Sequence, residues 1–106
     1  MNQIQYEERK QTYAHALFRY GPENQITIAI EEMSELTKEL CKRRRGWDNL
    51  DAIAEEIADT QIMLERLQLI FDIHDAVCAQ MDQKILRLQE RVGLMRFDYE
   101  EGKDAE

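Results

Sequence analysis

Residues 28–40, Ile-Ala-Ile-Glu-Glu-Met-Ser-Glu-Leu-Thr-Lys-Glu-Leu, and residues 53–64, Ile-Ala-Glu-Glu-Ile-Ala-Asp-Thr-Gln-Ile-Met-Leu, decide the fold. Both carry apolar residues at steps of three and four, the period of a helix with one buried face. Ala29, Met33, Leu36 and Leu40 align in the first, and Ile53, Ile57, Leu64 and Phe71 continue the second. At about 100° per residue, Glu32 falls between Ile28 and Leu36, inside the apolar arc, with Glu35 at its edge. In the second helix Glu56 falls between Met63 and Leu67, with Asp59 at the edge, whereas Glu31 and Glu55 turn outward. Two consecutive helices thus each aim a carboxylate pair at one seam.

Working outward, Gly21-Pro22 opens the first of these helices, since proline suits a first helical turn. Lys42–Arg45 and Gly46 close it, with Asp48 as the expected N-cap of the next. A weaker break falls at Asp72–Asp75. The reading is four helices at about 2–19, 22–44, 49–72 and 75–95, with boundaries good to a few residues. Residues 1–97 form one domain and 98–106 a polar, frayed tail. Tyr6, Tyr13, Leu17 and Tyr20 align on the first helix. Val77, Met81, Ile85, Leu88, Val92 and Met95 make a narrow seam on the last. A second stripe, Ile62, Leu69 and Ile73, leaves the third helix apolar on two sides, so the expected assembly is an all-α, four-helix bundle-like protomer that oligomerises, most simply as a two-fold homodimer, or else as a dimer of dimers.

Composition agrees. The chain has 106 residues with one Pro and four Gly, too few turn-formers for an all-β design. Its net charge of −8 argues against nucleic acid or an anionic membrane as partner. The longest charge-free run, Gln11–Phe18, is eight residues, far short of a bilayer span. No basic, then apolar, leader pattern opens the chain, so a cytoplasmic protein is expected. Cys41 and Cys78 lie far apart without a CxxC pattern and read as reduced, part-buried thiols. His15 reads as a packed or surface ring and His74 as a helix-end residue, because neither follows a Glu at i−3 as a di-iron bundle would require.

Four carboxylates converging on an apolar seam repel one another unless a cation sits among them. Oxygen ligands suit Mg²⁺, or Mn²⁺ as a substitute, and Mg²⁺ commonly shares its shell with substrate phosphates. Glu31-Glu32-Met33-Ser34-Glu35 followed by Glu55-Glu56-Ile57-Ala58-Asp59 resembles the EExxE … ExxD signature of MazG-like nucleotide pyrophosphohydrolases, an all-α NTP pyrophosphatase superfamily. Tyr20-Gly21, Asn24-Gln25 and the run Lys84…Arg87…Arg91 extend the likeness to single-domain phage and Gram-positive members over roughly residues 13–91.

The resemblance implies hydrolysis of a nucleoside triphosphate between its α and β phosphates, giving a monophosphate and pyrophosphate. It makes Glu32, Glu35, Glu56 and Asp59 the Mg²⁺ ligands and catalytic carboxylates, with the attacking water held by Glu32 or Glu35. Lys84, Arg87 and Arg91 fall on one flank of the last helix and would suit phosphate oxygens, or else simply form a solvated face. Gln25 matches a position near the nucleotide in relatives, and Trp47 either stacks on the base or packs the bundle end. Relatives that read the base with an Asn on a late helix have no counterpart here, since the last helix holds no Asn. Two other readings stand beside this one: a pyrophosphate-cleaving enzyme for a phosphoribosyl nucleotide, and a non-catalytic helical oligomerisation or regulatory module.

Overall fold

The computed structural model describes residues 3–94, and all regular structure among them is helical: α1 (Tyr6–Tyr20), α2 (Pro22–Arg44), α3 (Leu50–Ile70) and α4 (His74–Arg91). The chain divides into two compact units, residues 1–72 with α1–α3 and residues 73–106 with α4. None of these helices is long and apolar enough to cross a membrane. The expected tail at 98–106, and Met95 of the last seam, lie outside the described residues.

Local chemistry explains where the helices stop. α2 ends as predicted at Arg44. Gly46 N–H donates to the Arg43 carbonyl at 3.0 Å and Trp47 N–H to the Lys42 carbonyl at 3.1 Å, a paired closure that needs the left-handed backbone of Gly46 (φ +97°). α4 ends earlier than the predicted 95 because Gly93 (φ +74°) builds the same closure, with Leu94 N–H on the Gln89 carbonyl at 2.8 Å. The turn after α3 makes do with Asp72 at φ +53°, a left-handed residue that lacks glycine's sequence signature. Asp48 is not the cap of α3: its side chain is fully exposed, 3.8 Å from Arg43, and Asn49 takes the capping position. α1 begins at Tyr6 rather than residue 2 because Gln5 is extended (φ −68°, ψ 153°).

In the first unit α2 and α3 form an antiparallel pair and α1 packs on both. The buried apolar set is small: Tyr13, Ala29 and Met63. Gln25, Glu39 and Thr60 are buried beside them, so polar residues occupy much of the seam. Met33, Leu40, Ile57, Leu64 and Phe71, expected to face inward, are exposed. The contact is instead rotated onto the face bearing Gln25, Ala29 and Glu32 on α2 and Glu56, Thr60 and Met63 on α3. Cys41 and Cys78 are exposed rather than part-buried, Cys41 lying off that face and Cys78 on an α4 that buries none of its residues.

Candidate metal centre

The α2–α3 pair brings the acids together. One carboxylate oxygen each from Glu32, Glu56 and Asp59 lie within 4.8 Å of one another, all three residues half-buried. The register is held from both helices, because Thr60 Oγ1 donates to the Glu32 backbone carbonyl at 3.4 Å. Seven residues before Glu56, Asn49 Nδ2 donates to the Glu39 carbonyl at 2.9 Å and its Oε1 at 3.0 Å, fixing the start of α3 against the end of α2.

The electrostatics are unfavourable without a counter-ion. Burial first, then the negative charges of Asp59 and Glu35, push the Glu32 carboxyl above its ordinary range. Burial and the charges of Glu32, Asp59, Glu35 and Glu55 do the same to Glu56. Among the described residues no Lys or Arg forms an ion pair with Glu32, Glu56 or Asp59. Glu56 Oε2 is buried with no hydrogen-bond partner among the described residues. An orphaned acceptor among hard oxygen donors is what a divalent cation satisfies.

The remaining expected site residues lie elsewhere. Glu35 is outside the close triad, half exposed and 3.9 Å from Lys38, yet near enough for its charge to act on Glu32 and Glu56. Glu31 and Glu55 face solvent, in keeping with the helical phasing. Gln25 is wholly buried: Nε2 donates to the Gly21 carbonyl at 3.3 Å, and Oε1 accepts from Arg66 Nε at 2.8 Å. Trp47 is exposed, its ring 5.2 Å from Lys42 Nζ, which in turn pairs with Glu39 at 3.1 Å. Lys84, Arg87 and Arg91 are exposed along α4, in the second unit.

Sequence reasoning did not find Thr60, Asn49 or Arg66, nor Glu65, whose carboxylate accepts from Arg9 Nε and Nη2 and from the Tyr13 hydroxyl. Their roles depend on which residue of one helix faces which of another, and periodicity along a single helix carries no signal for that register. Comparison with known proteins adds no neighbour: no family model, curated protein or solved structure matches this chain.

Proposed function

We propose that the protein is a Mg²⁺-dependent nucleoside triphosphate pyrophosphohydrolase that cleaves between the α and β phosphates. The observation that carries this reading is the Glu32–Glu56–Asp59 cluster, whose Glu56 oxygen is buried and unpartnered. The two-part acidic signature, with its likeness to MazG-like enzymes, supports the choice of chemistry. Glu32, Glu56 and Asp59 would hold the ion, and when bound it would supply neutralising charge for the phosphates and the leaving pyrophosphate. Glu35, at the rim and outside the triad, is the carboxylate left to orient the attacking water and take its proton. That water supplies oxygen to one product as the anhydride bond breaks, giving nucleoside monophosphate and pyrophosphate.

On this reading the protein works in the cytoplasm as a homo-oligomer. Ile30, Met33, Leu40, Ile57, Ile62 and Leu64 are exposed on α2 and α3, and a second copy would cover them. The test is incubation of purified protein with Mg²⁺ and a panel of canonical and modified (d)NTPs, assaying pyrophosphate against orthophosphate. Pyrophosphate with equimolar monophosphate is expected. Orthophosphate would mean cleavage between β and γ, and no product from any nucleotide would favour a non-catalytic helical module.

A further inference from the structure

Arg66 is the odd cation of the first unit. Arg9, Lys10 and Lys42, the other half-buried cations there, each pair with a glutamate. Arg66 is equally half-buried and forms no ion pair with a described residue, in a chain of net charge −8. Its surroundings fix its direction instead. Gln25 is wholly buried and anchored through Gly21, so its Oε1 is a rigid acceptor for Arg66 Nε at 2.8 Å. Among the described residues Nη1 reaches only the thioether of Met63, at 3.3 Å, a weak acceptor. Nη2 makes no hydrogen bond to a described residue. A planar guanidinium is thus held at Nε by a rigid acceptor, with Nη2 unbonded among the described residues.

Its position is tied to the acidic cluster by the helical register. Arg66 follows Asp59 by seven residues on α3, and Gln25 precedes Glu32 by seven on α2. Seven residues return to nearly the same face about 10.5 Å further along. Antiparallel packing therefore stacks a Gln25–Arg66 layer on the Glu32–Asp59 layer, with buried Ala29 and Met63 between them. One end of the seam suits a cation and the other an anion.

We infer that Arg66, aimed by Gln25, binds the terminal phosphate of the substrate while the acidic layer holds the metal at the scissile end. This rests on the pyrophosphohydrolase reading. An open guanidinium edge matches phosphate oxygens bidentately, and a phosphate needs no base-specific contact.

The test compares wild type, Arg66→Gln and Arg66→Lys in four measurements: NTP kinetics, inhibition by inorganic tripolyphosphate, inhibition by the nucleoside monophosphate, and Mn²⁺ binding by calorimetry. Arg66→Gln is expected to raise KM and weaken tripolyphosphate inhibition together by about 10–100-fold, with kcat within about threefold and Mn²⁺ affinity unchanged. Arg66→Lys should recover part of the loss, since it keeps the charge but not the fork. Wild-type KM and tripolyphosphate inhibition in Arg66→Gln would overturn the assignment and leave the metal reading standing. So would a loss of monophosphate inhibition with tripolyphosphate unaffected, which places Arg66 at the nucleoside. A fall in Mn²⁺ affinity and melting temperature in both variants, with KM unmoved in whatever folds, would make Arg66 structural. Wild-type protein that neither binds Mn²⁺ nor turns over any NTP would overturn the parent reading and this one with it.

Discussion

Glu56 and Glu65 stand about 2.5 turns apart on α3, both half-buried, and the protein treats them in opposite ways. Glu65 is surrounded by donors: Arg9 Nε and Nη2 each donate at 3.0 Å, and the buried Tyr13 hydroxyl donates at 2.6 Å. That arrangement ties α1 to α3. Burial, then the bond to Glu65 and its negative charge, push the Tyr13 phenol up to about 12, with Arg9 pulling the other way. Glu56 has two more carboxylates for neighbours, and one of its oxygens is buried with no partner. A buried acid held by donors contributes to the fold. One held against other acids costs stability, and such costs concentrate at functional sites. Glu39, with Asn49 and Lys42 donating to it and its carboxyl held below the ordinary range by those bonds, belongs with Glu65.

The contrast is broken most directly at Glu56. Glu56→Gln should lower kcat by about 10³-fold, remove Mn²⁺ binding by calorimetry, and leave helicity by circular dichroism unchanged, because the amide keeps the shape but not the charge. The metal-free variant should also melt higher than metal-free wild type at neutral pH. Glu32 and Glu56 have native pKa values raised above the unfolded value of about 4.3. The native state therefore holds more protons than the unfolded chain across that window. The resulting stabilisation is complete below the unfolded value and is lost as pH rises through the raised native values. Melts of metal-free wild type should show this loss on going from acid toward neutrality, and Glu56→Gln should reduce it. Adding Mg²⁺ should stabilise wild type at neutral pH, since the ion needs ionised ligands. Full activity in Glu56→Gln would put Glu56 with Glu65 as a structural acid.

The opposite result is expected at Glu65. Glu65→Ala leaves the Tyr13 hydroxyl without its acceptor and should cost about 1–3 kcal/mol in chemical denaturation. In whatever fraction folds, Mn²⁺ affinity should be unchanged. Loss of metal binding at full stability would erase the distinction between the two acids.

How much of this is legible in the sequence follows from the same comparison. Glu32 and Glu56 are visible as acids inside an apolar arc, and that anomaly depends only on the 3.6-residue period of each helix. The four-helix order and the closure of α2 by Gly46 are legible for the same local reason. Glu65 gives no such signal, because its donors come from α1, 52 and 56 residues away in sequence. Asp48 looks like a cap, but Asn49 takes the N-cap position, and its side chain is spent on Glu39 of α2 rather than on the first N–H groups of α3. The contact face lies part of a turn from the apolar stripe for a physical reason: the stripe does not mark the contact when the contact is itself polar. Gln25, Thr60 and Glu39 are buried while Leu40 and Ile57 are not.

The smallest expected effect sharpens the comparison at the scale of one residue. Glu31 precedes Glu32 in sequence and carries the same charge, but the helix turns it about 100° away, into solvent. If charge in the neighbourhood were enough, Glu31→Gln and Glu32→Gln would weaken metal binding alike. If ligation requires an oxygen inside the seam, only Glu32 matters. Glu31→Gln should therefore leave kcat/KM within about twofold and stability within about 0.5 kcal/mol, as for most exposed positions. The small change that does appear should shrink as salt is raised, since an exposed charge acts through screened water. A loss near that of Glu56→Gln would mean that α2 meets α3 on a different face from the one described.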